Sequence, residues 1–233
     1  MKKIILFVIF LLLTQNSFSQ VNSVRLFPSG TFYNSITAAY IDILAAAPIS
    51  QAYTIEIQSI YDGSTETRPI QLTSTETRPI QLTEVTGASS SNTITIRPAV
   101  GATGLIISDS IFATGIINLN GADYLIIDGR PGGVGTSREL TIINGSTSAA
   151  VGTTGIRLLN DATNNIIRYC NFKNSGKDAN SGSGAVQFAT TTGTLGNSNN
   201  YVIHNFFEIT MLTLPYYPII IFLLTAIRVP AQG

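Results

Sequence analysis

The chain has 233 residues, 44% of them hydrophobic and only 11% charged, with 13 basic against 13 acidic side chains and a mean hydropathy of +0.29. That length supports one sizeable core or two small ones, and the abundance of Ile, Leu and Val excludes a disordered chain. Balanced charge without a basic cluster excludes the phosphate-neutralising footprint of DNA and RNA binders, so no nucleic acid is expected as a partner.

Residues 1–20 read MKKIILFVIFLLLTQNSFSQ. Lys2 and Lys3, an apolar run from Ile4 to Leu13 and a small, polar end at Ser17 to Ser19 predict a secretory signal peptide over 1–19, cleaved before Gln20. The alternative, an N-terminal membrane anchor, has an apolar run short of the roughly 20 residues a span needs. The mature chain keeps 11 basic residues against 13 acidic ones. The expected location is therefore outside the inner membrane.

Ile36, Ala39, Tyr40, Ile43, Leu44 and Ala47 recur at helical spacing between Ser35, a capping residue, and Pro48. They predict one amphipathic helix over about 35–47. Beyond it the helical period gives way to short β-branched runs: Tyr53 to Ile60, Thr93 to Arg97, Leu105 to Ser108, Ile116 to Leu119, Tyr124 to Asp128, Leu140 to Asn144, Gly155 to Leu159, Asn165 to Phe172, Ala185 to Phe188 and Tyr201 to Phe206. Gly, Asn, Ser and Asp separate them, as strands bounded by turns require. Ser64 to Thr73 recurs unchanged as Ser74 to Thr83. A coil of a repeat fold takes roughly 20 or more residues, so this tandem decapeptide reads as a duplication of coding DNA, with one copy looped out.

The segment Gly115 to Asp128 aligns without a gap on Gly155 to Arg168, and Gly184 to Phe188 followed by Asn200 to Asn205 is a looser third version. Repeats of strand, turn and strand with variable loops predict an all-β parallel solenoid over 20–207, in which Ile stacks on Ile and Asn at the bends hydrogen-bonds along the stack. Ile126 and Ile166 are expected at equivalent inward positions. Asn-Gly, the strongest hairpin signal, occurs only at Asn120-Gly121 and Asn144-Gly145.

The last 26 residues, 208–233, change composition: they hold no Asn, and Gly only at the end. Two readings stand. One is a membrane span from about 209 to 227 with Arg228 as its stop, interrupted by Pro215 and Pro218. The other is translation out of frame. Joining the third base of each codon to the next two turns Glu208-Ile209-Thr210-Met211 into Asn, Asp, Tyr and His codons, matching the Asn-rich chain upstream.

The stretch Ile36 to Leu44 resembles the helix that caps pectate-lyase-like right-handed β-helices, and Leu119 to Arg130, echoed by Leu159 to Asn165, is similar to the large β-helix surface proteins of Bacteroidetes-type bacteria. The likeness covers about residues 24–207. It implies a right-handed parallel β-helix with an N-terminal capping α-helix, serving as a non-catalytic module of a surface adhesin or scaffold. Such a module would contact extracellular polysaccharide or cell-surface components. Members of this group commonly end in a C-terminal sorting domain for type IX secretion; the expected location is secreted or at the cell surface, or the periplasm if that domain is never supplied. A degenerate fragment is the third alternative, on the evidence of the decapeptide and the tail.

An enzyme on this scaffold would be a polysaccharide lyase or glycoside hydrolase. A lyase needs carboxylates holding Ca²⁺ plus an Arg or Lys base, and a hydrolase needs two carboxyl groups flanking the scissile bond. The acids available are Asp109, Asp123, Asp128, Asp161 and Asp178, with Arg130, Arg157 and Arg168 as cations. The repeat alignment pairs Asp128 with Arg168, which predicts a surface ion pair between neighbouring coils. Asp123 and Asp161 fall at bends, where Asp bonds its local backbone. His204, the single histidine, reads as a structural strand residue, and Cys170, the single cysteine, as a small buried side chain. Gly129 to Gly135 lacks the Gly-Lys-Ser/Thr ending of a phosphate loop and reads as a connection. Tyr53, Tyr61, Tyr124, Tyr169 and Tyr201 would stack on sugar rings where they face outward. No metal and no cofactor is assigned from these residues, Ca²⁺ entering only with the lyase alternative.

Overall fold

The computed structural model describes residues 23–61, 79–148, 150–174, 184–189, 191, 193–209 and 226–229. The signal peptide, the first copy of the decapeptide and most of the tail, including nearly all of the span read at 209–227, lie outside the described residues.

The chain enters through β1 (Val24–Phe27) and β2 (Phe32–Tyr33), an antiparallel pair. Helix α1 (Ile36–Ala45) follows. The Ser35 hydroxyl caps it by accepting from the Ala38 N–H at 3.0 Å, satisfying one of the orphan donors of the first turn. Ile36, Ala39, Tyr40 and Ile43 are buried, with Leu44 and Ala47 packed at the margin, so the face read from the sequence is the one that packs. The helix lies against β1, β2, β3 (Tyr53–Ile57) and β4 (Ile80–Thr83), at the N-terminal end of the sheets. There the Tyr40 hydroxyl donates to the Thr83 carbonyl. Strand β4 is made by the end of the second decapeptide copy.

From β4 onward, every third strand pairs with its predecessor in parallel. One sheet holds β4, β7 (Gly115–Asn120), β10 (Thr154–Leu159) and β13 (Gly184–Phe188). The second holds β5 (Ile94–Pro98), β8 (Leu125–Asp128), β11 (Ile166–Arg168) and β14 (Asn200–Ile203), extended at one edge by β3, β1 and β2. The third holds β6 (Leu105–Asp109), β9 (Leu140–Asn144), β12 (Cys170–Asn174) and β15 (Phe206–Ile209). The fold is thus mostly β and mostly parallel. Between the sheets lies one core of stacked rows: Leu82, Leu119 and Leu158; Ile96, Ile127 and Ile167; Ile107, Ile142 and Phe172. Each such side chain contributes about 1.5–3 kcal/mol on burial. Cys170 joins the third group, fully buried, and burial pushes its thiol pKa up. Strand β15 runs on past Phe207 to Ile209, and β16 (Ala226–Val229) joins β14 antiparallel.

Three expectations need correction. The runs Asn165 to Phe172 and Tyr201 to Phe206 are each two strands, because Tyr169 and His204 take left-handed backbone at φ 52° and 56° and turn the chain into the next sheet. His204 is therefore a corner residue, not a strand residue. The Gly115 and Gly155 repeats do contain a gap: Leu158 pairs with Leu119, 39 positions earlier, whereas Ile166 pairs with Ile126, 40 positions earlier. The later turn absorbs its extra residue in two successive left-handed positions, Asn160 and Asp161, where the earlier one uses Gly121 alone. Finally, Ile126 and Ile166 are register partners but stand on the outer face, partly exposed; Ile127 and Ile167 point inward.

Candidate functional site

Strands β8 and β11 end in Asp128 and Arg168, which are register partners. The Arg168 Nε donates to Asp128 Oδ2 at 2.9 Å. Two residues past the strand, Arg130 turns back and grips the same carboxylate, with Nη2 on Oδ2 at 2.7 Å, Nε on Oδ1 at 2.9 Å and its backbone N–H on Oδ1 at 3.1 Å. The sequence-predicted pair is thus present, but it is not a surface pair. The Asp128 side chain is 0% exposed beneath the two guanidiniums. Burial pushes its pKa up, but hydrogen bonds from Arg130 and the charges of Arg168 and Arg130 outweigh that, and the net value falls below the ordinary carboxylate range.

The residues that follow Asp128, Arg168 and Ile203 are Gly129, Tyr169 and His204. Arg130 lies over one ring face of Tyr169 at 4.4 Å from the centroid, and His204 stacks with Tyr169 at 4.9 Å and 24°. Arg138 donates from Nε to the His204 carbonyl at 2.7 Å, tying the 129–138 loop to the last turn. This corner is a stack of Arg, Tyr and His side chains. Its carboxylate is held by two cations and is a poor general base in that setting.

The remaining acids do not join it. Asp123 lies before the corner at Tyr124, whereas Asp128 is at the far end of β8. Asp123 accepts from the Thr163 N–H at 2.7 Å and the Thr163 hydroxyl at 2.6 Å, on the next turn of chain. Asp161 accepts from the Thr191 hydroxyl at 2.7 Å and the Leu195 N–H at 3.2 Å. The hydrogen bond from Thr191 lowers the Asp161 pKa most. Both acids therefore hold distant segments, correcting the expectation of purely local turn bonds. Asp109 does bond locally, accepting from the Ser110 N–H at 2.7 Å. Asp178 lies outside the described residues.

Asn side chains do the stacking work expected of them. Asn197, Asn200 and Asn205 each accept the backbone N–H of the residue 35 positions earlier, from Ala162, Asn165 and Cys170. Asn165 in turn accepts from the Leu125 N–H at 2.9 Å. Of the tyrosines, Tyr61 is buried and Tyr53 packs on the core, whereas Tyr201 faces outward on β14, 37% exposed. Tyr124 turns a corner at φ 53°.

The outer face of the β4–β7–β10–β13 sheet carries a separate column, Gln81, Asn118, Arg157 and Gln187, in direct register. Asn118 is closed on itself, accepting from the Gly115 N–H and donating to the Thr114 hydroxyl. Buried Arg157 Nε and buried Gln187 Oε1 have no hydrogen-bond partner. Nothing in the sequence marks that deficit, since it depends on which neighbours the register supplies. Among the described residues no group of three or more His, Cys, Asp or Glu is placed to hold a metal ion, and no helix is long and apolar enough to cross a membrane. Comparison of the chain with known protein families, with curated proteins and with solved structures finds no match.

Proposed function

We propose that this chain is an exported, non-catalytic module of a cell-surface adhesin or scaffold, folded as a right-handed parallel β-helix capped by α1, whose outer faces contact extracellular polysaccharide. The observation that carries this reading is the three-strand period: β4 to β15 pair in parallel with the strand three places on. Such an arrangement stacks side chains in straight columns along one axis, which suits recognition of a long polymer rather than of a small molecule. The use made of the acids supports the non-catalytic part. Asp128 is neutralised by two arginines, and Asp123 and Asp161 hold neighbouring segments together. The leader sequence and the near-neutral charge support export without a nucleic-acid partner.

The test is to express the full chain with a C-terminal tag, fractionate the cells and sequence the processed N-terminus. A protein beginning at Gln20, recovered from the medium, the cell surface or the periplasm and retained by insoluble polysaccharide without releasing new sugar ends, is the expected result. An uncleaved cytoplasmic protein would refute export, and release of unsaturated or reducing sugar products would replace the module by a lyase or hydrolase.

A further inference from the structure

Strand β4 consists of Ile80, Gln81, Leu82 and Thr83, the last four residues of the second decapeptide copy. Its contacts therefore come from a sequence that the chain contains twice, since Ile70-Gln71-Leu72-Thr73 closes the first copy. Ile80 and Leu82 are buried, Leu82 fully, and the strand pairs in parallel with β7, Leu82 opposite Leu119. At its end the Tyr40 hydroxyl donates to the Thr83 carbonyl, a backbone group that either copy supplies. Among the described strands β4 is also the edge of its sheet, paired with β7 on one side only. A short strand held on one side opens locally at lower cost than a central one.

We propose that the two copies exchange in β4: residues 70–73 take the strand with the same contacts, and ten residues pass from the connection before β4 to the connection after it. The approach is long enough. Tyr61 is buried after β3, and eight residues separate it from Ile70. Extended, they reach about 26–29 Å, well beyond the roughly 10 Å between packed sheets. The exit is open as well. Residues 74–83 then enter just before Glu84, which is exposed, so Val85 stays buried and the Thr86 carbonyl keeps the Ile49 N–H as its donor. Closure entropy changes slowly with loop length, and the strand contacts are identical, so the two registers lie close in free energy. Identity over the whole repeat is what permits this, because a diverged copy would set a different side chain against Leu119. The outcome is one core with two surfaces: the surplus copy, with its Glu and Arg, is displayed before β4 in one register and after it in the other.

The test compares thermal melts of the full chain carrying Leu72→Asp, Leu82→Asp or both. In the observed register Leu82→Asp buries a carboxylate, and exchange relieves it by bringing Leu72 into the core. Each single variant should therefore fold and melt within a few degrees of the wild type, and the double variant should melt at least about 10 °C lower. Equal melting of Leu82→Asp and the double variant would overturn the exchange. In folded Leu82→Asp the Leu72 methyl NMR signals should move to the shifts of wild-type Leu82, and signals that stay elsewhere would also overturn it. Deleting residues 74–83 gives a measurement free of any buried charge. It yields the same protein as deleting residues 64–73, so it forces the shorter approach to β4. That protein should keep the wild-type circular dichroism, and failure to fold would show that the shorter connection cannot serve the strand.

Discussion

Asp128 and Arg168 stand 40 positions apart in sequence and 2.9 Å apart across the β8–β11 ladder, with the carboxylate fully enclosed. Removing that charge leaves two guanidiniums facing each other, so Asp128→Asn should destabilise the fold by about 2–3 kcal/mol at neutral pH, less than a fully buried pair because both arginines keep some solvent. The pH dependence has a fixed sign. The native carboxyl sits below its ordinary value of 3.8, so the unfolded chain takes up the proton first. The stabilisation is complete above that value and disappears as pH falls through the lower native one. Denaturant unfolding of wild type and variant should differ by a constant amount above about pH 5, and the gap should shrink progressively as pH falls below the ordinary carboxyl value. An equal gap at both ends would show that the carboxylate is not the source.

Ile126 and Ile127 are adjacent and chemically alike, yet only Ile127 faces the core. Ile127→Asp buries a carboxylate without a partner and should cost at least about 3 kcal/mol, enough to leave the chain unfolded or insoluble. Ile126→Asp should fold and melt within a few degrees of the wild type. A soluble Ile127→Asp protein with an unchanged melt would reverse the assignment of faces.

That pair also shows what the sequence could reveal. Strand existence was legible because β-branched runs alternate with Gly, Asn and Asp, and the pairing of Asp128 with Arg168 was legible because the repeats align them. The inward side of Leu125-Ile126-Ile127 was not, since a run apolar on both faces carries no alternation, and a one-residue slip exchanges the faces. The corners at Tyr169 and His204 were hidden for a related reason. Tyr is a good strand former, and neither position bears the Gly or Asn that usually marks left-handed backbone. Only the third dimension shows that the two rings brace each other. The burial of Asp128 needed Arg130, which the following loop supplies, and the isolation of Arg157 is a property of its neighbours.

Gly129 has no room for a side chain. A Cβ there would lie 1.9 Å from the Tyr169 carbonyl oxygen and 2.7 Å from its carbon, both backbone atoms. Gly129→Ala must push the two turns apart and should cost about 3 kcal/mol, at the upper end for overpacking. Gly135 offers the contrast, with left-handed backbone at φ 77° and open space around it. Gly135→Ala should cost only the strain of that conformation, about 1–2 kcal/mol. Thermal melts in which the two variants are equally stable would argue against the close approach.

Asn205 joins two turns of chain through both ends of its amide. Its Oδ1 accepts the Cys170 N–H at 2.8 Å and its Nδ2 donates to the Ile167 carbonyl at 2.9 Å. Those two groups lie on β11 and β12, on either side of the Tyr169 corner. Asn205→Ala would strand a donor and an acceptor in a site closed to water, at about 1–3 kcal/mol for each unsatisfied group. Asn205→Asp separates the halves: it keeps an acceptor for Cys170 and replaces the donor by an oxygen facing the Ile167 carbonyl. Native-state hydrogen exchange resolves them. The Cys170 amide should exchange much faster in Asn205→Ala and stay protected in Asn205→Asp, although both proteins melt lower than the wild type. Rapid exchange at Cys170 in the wild type would mean that the amide ladder does not hold this corner. The αL turn at Tyr169 would then have to be maintained by the stacking of its ring with His204 and Arg130.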